Sequence, residues 1–283
     1  MKKWFLIFVS FLASFQILHA QDSLFSNVPS SKDWCTLAKG LEYCELDGPY
    51  ISVVGDSKIS ILRVEPSFLD VELLAASNHQ IKPKTVSEWA DSFELNVVMN
   101  AGMYDNVSRL MNHAYMKVGD HINNPNLKSM NNAVIVLDPI TPKAQNLNIV
   151  DLKCNSWEDI HANYSSCIQG MRMIDCNGGP ISWSKSKLAC SMLICARDNS
   201  NRIYFIFCHS FYTQNEMIQY LVSLPFGLNS AIYMEGGPET SFYVKANGNV
   251  ILKAGNYVTK SIPKKTNDHF WPLPNVIGLR IKE

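Results

Sequence analysis

The chain has no C-x-x-C pair, no G-x-S-x-G segment, no EF-hand spacing, no dense basic block and, beyond its first twenty positions, no long apolar run. Without C-x-x-C, and with Cys208 beside His209 as the one cysteine at ligand spacing from a histidine, a metal-thiolate site has no framework. Without G-x-S-x-G there is no nucleophile elbow. Ser210 directly follows His209, where strand side chains point apart, which disfavours a serine hydrolase built on that pair. The longest basic cluster is the scattered group Lys260, Lys264 and Lys265, and Lys plus Arg equal Asp plus Glu at 25 each, so nucleic acid is not an expected partner. No Pro/Gly/Ser-rich linker, low-complexity segment or internal repeat divides the 283 residues, and one domain is expected.

Lys2 and Lys3 precede an apolar run from Trp4 to Leu18 that ends at Ala20 before the polar Gln21 and Asp22. This is the layout of a secretory signal over residues 1 to 20. The run is shorter than the roughly 20 residues that a bilayer span needs, so a secreted or periplasmic chain without stable membrane insertion is expected. All eight cysteines follow it, and an even count in an exported chain suggests disulfides. Cys35 and Cys44 flank a short loop and are the expected local pair. Cys195 and Cys208 lie in apolar runs and are expected as buried thiols.

Apolar stretches from Lys58 to Val64 and from Val71 to Ala76, separated by Pro66 and Ser67, predict two adjacent strands. Thr85 and Glu88 have capping-box spacing, with Val86, Trp89 and Phe93 on one face, before a strand from Leu95 to Met99. A second box at Thr213 and Glu216 opens a helix that Pro225 ends. Further strands are expected at Ala133 to Leu137, Met192 to Ala196, Ile203 to Cys208, Ala231 to Met234, Ser241 to Val244 and Val276 to Ile281. Two helices among so many strands predict an α+β fold, a single domain with a mixed, curved sheet and a few packed helices. Residues 21 to 49 are read as an extension ahead of a domain over 50 to 283.

Four polar clusters stand at strand ends. The segment AIYMEGGPETSFY, from Ala231 to Tyr243, ends a buried strand on Glu235 and turns through Gly236 and Gly237, whose amides are free of side-chain cover and suited to an anion, or else simply form a hairpin turn. From Met99 to Asn124 the chain is rich in amides. Asn100, Asn123 and Asn124 suit sugar hydroxyls and Tyr104 or Tyr115 a sugar ring, though such residues also build ordinary turns. In QGMRMID, Arg172 sits alone among apolar neighbours and either pairs with a structural carboxylate or awaits an anion. His209 follows a strand and is a general acid/base, a hydrogen-bond donor or a buried, satisfied ring.

The ordered segments MNAGMY, AYMKVGDHINN, QGMRMID, AIYMEGGPETSFY and WPLPNVIGL resemble the phosphodiester glycosidase family over roughly residues 50 to 282. The resemblance implies hydrolysis of a sugar linked through a phosphodiester. Two departures stand out: Glu235 occupies the first position of the family's common Asp-Gly-Gly, and MLICA from Met192 to Ala196 replaces an arginine-bearing R-x-A-x-G strand. On this resemblance Arg172, with Lys117, meets the phosphate, and Glu235 activates water or stabilises charge at the anomeric carbon. Asn100, Gly102, Tyr115 and Asn123 position the sugar with Gly236 and Gly237, while His209 or Tyr212 completes the pocket. The resemblance fixes no cofactor and leaves a metal requirement open; Asp105, Asp120 and Asp175 would suit a hard cation such as calcium, though without EF-hand spacing. The competing reading is a non-catalytic phosphoglycan or nucleotide-sugar binding protein of the same fold.

Overall fold

A computed structural model describes residues 33–104, 110–183, 188–256 and 267–282. The signal-like segment, Asp105, Asn106, Arg109 and the lysines at 260, 264 and 265 lie outside the described residues. In chain order the elements are β1 (Cys35–Ala38), β2 (Leu41–Asp47), β3 (Lys58–Val64), β4 (Leu69–Ala75), α1 (Ala76–His79), α2 (Val86–Phe93), β5 (Val97–Asn100), β6 (Met116–Val118), β7 (His121–Asn124), β8 (Ala133–Pro139) and β9 (Leu147–Asp151). They continue with α3 (Trp157–Asn163), β10 (Tyr164–Ile174), β11 (Cys190–Asp198), β12 (Ile203–Tyr212), α4 (Gln214–Ser223), β13 (Leu228–Gly236), β14 (Ser241–Ala246), β15 (Asn249–Ala254) and β16 (Asn275–Ile281).

The strands form two sheets. The larger runs β1-β2-β3-β12-β11-β13-β10-β6-β7, with β8 on the other edge of β10 and β9 beyond it; the smaller runs β15-β14-β5-β16-β4. Their inner faces meet in one core, where Phe205 and Phe207 of the larger sheet pack with Met99, Phe242 and Ile277 of the smaller. Each such side chain contributes about 1.5–3 kcal/mol by leaving water. Helix α4 covers the outer face of the larger sheet with Met217, Ile218 and Leu221. Helix α2 covers the smaller with Val86 and Trp89, and the Trp89 indole N–H donates to the Leu273 carbonyl at 3.0 Å, so its polar edge is satisfied in the core.

Local capping chemistry starts the longer helices as the sequence predicts. Thr213 accepts from the Glu216 N–H at 3.2 Å while Glu216 accepts from the Thr213 N–H at 2.7 Å, and Thr85 with Glu88 does the same. A third box, Ser156 with Asp159, starts α3.

Two expectations are corrected. The single mixed sheet is instead two antiparallel sheets, and every described strand pairing is antiparallel. Helix α4 does connect β12 to β13, which run parallel to each other, but β11 is inserted between them and pairs antiparallel with both. Residues before 50 are also not all an appendage, because β2 pairs with β3 along its length and buries Leu41, Cys44 and Leu46.

The cysteine expectation fails in one part and holds in another. In the β1–β2 hairpin Cys35 faces Tyr43, so Cys44, the next residue, points to the opposite face. Cys35 is exposed and Cys44 buried, both as free thiols, and the disulfide joins Cys154 to Cys176 instead. Cys195 and Cys208 are buried free thiols, as expected. The bridge closes a sequence separation of 22, a loop length for which chain-entropy arguments give about 3 kcal/mol. The Cys154→Ser/Cys176→Ser double variant is therefore expected to unfold at lower urea by that amount. Alkylation of the native protein is expected to mark Cys35 among the described thiols; labelling of Cys154 or Cys176 would contradict the pairing.

Candidate functional site

Strand β13 carries Glu235 to its end because a buried run, Ala231 to Met234, fills both faces of the sheet up to that point. A bulge brings Glu235 opposite Leu193, a residue of the core between the sheets. The chain then makes a single 3-10 turn, Gly237–Glu239. Gly237 has φ +80°, a backbone conformation that side chains disfavour. Gly236 is needed for a different reason, since a Cβ there would overlap the Tyr233 hydroxyl.

Glu235 is 9% exposed. Burial raises its carboxyl to about 8, against one hydrogen bond from the Gly236 N–H, and the neighbouring Glu239 charge adds to the rise. Among the described residues no lysine or arginine acts on it. At neutral pH the side chain is consequently a carboxylic acid with a proton to give. The anion-cradle expectation for the glycine amides is not realised, because the Gly236 N–H is held by Glu235 itself at 2.9 Å and the Gly237 N–H is directed at the Cys190 thiol.

Two asparagines brace the turn, and a serine ties together the segments beside it. Asn100, at the end of β5, donates to the Glu239 carbonyl at 3.0 Å and accepts from the Ser241 N–H at 2.7 Å. Asn267 donates to the carbonyls of Gly255 at 3.0 Å and His269 at 2.8 Å, and reaches Pro238 O at 3.3 Å. Ser191 accepts from the Asn256 N–H at 2.7 Å and donates to the His209 carbonyl at 2.6 Å. Beside the turn, Gly102, Met103, His113, Asn131, Tyr233 and Met234 are among the residues around a small cavity of ≈ 10 Å³. That is room for about one water.

Of the side chains expected at the site, the structure gathers Glu235, Gly236, Gly237, His209 and Asn100 around this turn, with Gly102 on the adjoining cavity. Asn100 serves as a brace and not as a hand for sugar, since both ends of its amide are engaged. Asn123 is likewise consumed: it accepts from Asn112 N–H at 2.7 Å and donates to Ser77 Oγ and Leu110 O at 2.9 Å each. Tyr212 is fully buried, its hydroxyl given to the Tyr50 carbonyl at 2.6 Å. Tyr115 packs edge-on to Trp157 at 5.4 Å, in the cluster under α3. Lys117 lies opposite Cys167 of that same cluster, on the face away from Glu235.

Arg172 takes the structural alternative. Its Nη1 lies 2.5 Å from Asp151 Oδ1, with side-chain exposures of 14% and 2%. Asp151 also accepts the N–H groups of Lys153 at 2.8 Å and Cys176 at 2.9 Å, next to the disulfide. Such a buried pair is scaffolding. Asp175 is similarly occupied: the Gly179 N–H above all holds its carboxyl below the ordinary value, with the Asn177 N–H and Lys153 adding to the effect. Among the described residues no group of three or more His, Cys, Asp or Glu is placed to hold a metal. Ser210 is buried and accepts from the Ser57 N–H at 2.6 Å, so it is not poised as a nucleophile.

Sequence reasoning missed Glu239, Asn256, Asn267 and Asn275. Glu239 had a signal, being a second acid four residues after Glu235 in one motif. The asparagines had none, because an asparagine in a loop reads alike whether or not it braces a turn. The Thr240 hydroxyl, the Asn267 Oδ1 and both amide atoms of Asn275 are buried without a partner among the described residues. Thr240 and Asn267 belong to the turn and its brace.

Helices long and apolar enough to cross a membrane do not occur among the described residues. No curated protein matches the chain. The zebrafish N-acetylglucosamine-1-phosphodiester alpha-N-acetylglucosaminidase catalytic domain, in a structure auto-inhibited by its pro-peptide, is similar at a TM-score of 0.60 and 14% identity, over 92% of this chain and 86% of that one. A hypothetical protein from Synechocystis is similar at a TM-score of 0.60 and 11% identity, over 88% of this chain and 63% of that one. At such identities the likeness establishes the fold. The phosphodiester glycosidase family itself matches over residues 93–280. Because that match runs from the last residue of α2 into β16 and takes in the whole Glu235 turn with its braces, the chain belongs to the phosphodiester glycosidase family.

Proposed function

We propose that this protein is an exported hydrolase that releases a sugar from a glycosyl phosphodiester, with Glu235 as its proton donor. The observation that carries this reading is a dry, raised carboxyl at the end of β13, on a turn that the amides of Asn100 and Asn267 hold in place. A protonated Glu235 gives its hydrogen to the departing phosphate oxygen as the bond to the anomeric carbon lengthens. The demand is modest, since a phosphate monoester, with a second pKa of about 6, is already a good leaving group. Glu239, close enough to raise Glu235, is the second carboxylate that glycoside hydrolysis needs, and its role is to take a proton from the attacking water.

The binding-protein reading is favoured by one specific observation, that among the described residues no cation acts on Glu235 and Arg172 is committed to Asp151. One experiment separates the two. The purified protein is incubated with an α-N-acetylglucosamine phosphodiester and with a nucleotide sugar, each with and without calcium, and the products are identified by mass spectrometry. Free sugar is the expected result, and calcium dependence would supply the missing positive charge. Retained ligand without product would replace the hydrolase with a binding protein.

A further inference from the structure

Both ring nitrogens of His209 are engaged, and the partners dictate its state. Nδ1 lies 2.9 Å from the Ala254 carbonyl, which can only accept, so Nδ1 carries the hydrogen. Nε2 lies 2.7 Å from the Asn256 Nδ2, and the Asn256 amide cannot be turned around because its Oδ1 already accepts from the Asn267 N–H at 2.8 Å. Nε2 is therefore the acceptor, and the ring is neutral in a single tautomer. The same three residues close a ring through the backbone, with Ser191 Oγ bridging the Asn256 N–H to the His209 carbonyl.

Between Ala254 and Asn256 stands Gly255. Its N–H donates to the Thr240 carbonyl at 2.7 Å. A Cβ at this position would overlap the Gly237 carbonyl oxygen and lie 2.8 Å from Thr240 Cβ. One residue thus separates the partners of the His209 ring from the turn that carries Glu235. We infer that His209 is a positioning residue and not a proton carrier: its neutral, Nδ1-protonated ring clamps Ala254 and Asn256 so that Gly255 seats the Glu235 turn and keeps water from the carboxyl. The inference builds on Glu235 as the reactive acid, but its test does not require turnover.

The test is nuclear magnetic resonance on the full protein and its variants. In the wild type the His209 ring nitrogens are expected to report hydrogen on Nδ1 and none on Nε2, and the Glu235 carboxyl carbon to titrate near 8. His209→Ala is expected to move that midpoint down by about one to two pH units, as water reaches the carboxyl. His209→Gln, which keeps one donor and one acceptor, is expected to keep the wild-type midpoint. Gly255→Ala, with His209 intact, is expected to lower the midpoint as His209→Ala does, and it serves if His209→Ala does not fold. An Nε2-protonated ring would overturn the inference, as would an unmoved midpoint in His209→Ala or Gly255→Ala, or a glutamine variant no better than alanine. Absence of sugar release by the wild type would remove the proposed activity alone, leaving the midpoints to decide the role of His209.

Discussion

Glu235→Gln is expected to cost about 10²–10⁴-fold in turnover, the usual range for a positioned proton donor, and yet to make the protein more stable at alkaline pH. The two effects share one cause. The folded-state pKa of Glu235, about 8, lies above its ordinary value of 4.5. Between those values the folded chain keeps a proton that the unfolded chain has released. Stability therefore falls as pH rises through that window and levels off above about 8. At 1.36 kcal/mol per unit the slope sums to roughly 5 kcal/mol. Glutamine has nothing to ionise and lacks this contribution. Urea unfolding of both proteins at pH 5, 7 and 9 checks the stability, and sugar release across the same range checks the chemistry, with kcat/KM of the wild type declining as pH passes about 8. Parallel stability curves would mean that Glu235 is not held dry; undiminished turnover in the variant would remove it from the mechanism.

The second large effect is structural. Asp151→Ala is expected to destabilise the fold by about 3–5 kcal/mol, because it strands the largely buried Arg172 guanidinium without its partner. It also strips acceptors from the Lys153 and Cys176 N–H groups. Replacing both partners with apolar residues of similar size, Asp151→Leu with Arg172→Met, is expected to recover most of the loss, since the cost lies in the unpaired charge. Urea unfolding measures this. Activity per folded molecule is the counter-test: if the double variant folds normally but no longer releases sugar, Arg172 belongs to the chemistry after all.

What the sequence made legible was local. Both predicted capping boxes formed, because Thr85 with Glu88 and Thr213 with Glu216 close their own hydrogen bonds within one turn. The third, Ser156 with Asp159, went unread because aspartate stands where the pattern expects glutamate or glutamine. Strand β10 was missed because Ser166, Gln169 and Arg172 interrupt its apolar run, and their partners come from distant segments: the N–H of Gly119, the carbonyls of Lys128 and Asn131, and the carboxylate of Asp151. The Glu235 turn could be located from its strand-end carboxylate and paired glycines. That Asn100 braces this turn, while Asn123 is spent elsewhere, could not, because an amide reads alike whether it holds a ligand or a loop.

The insertion of β11 between β12 and β13 also bears on how the chain assembles. These three strands at the heart of the larger sheet come from one continuous stretch of sequence, so they can meet early. Strand β3 cannot, because its Val64 must wait for Ile203, and β4 must wait for β16 at the far end of the chain. During N-to-C synthesis the first hairpin is therefore left with an uncovered edge for most of elongation. The N-terminal strands are therefore the ones most in need of a chaperone while the rest of the chain is made.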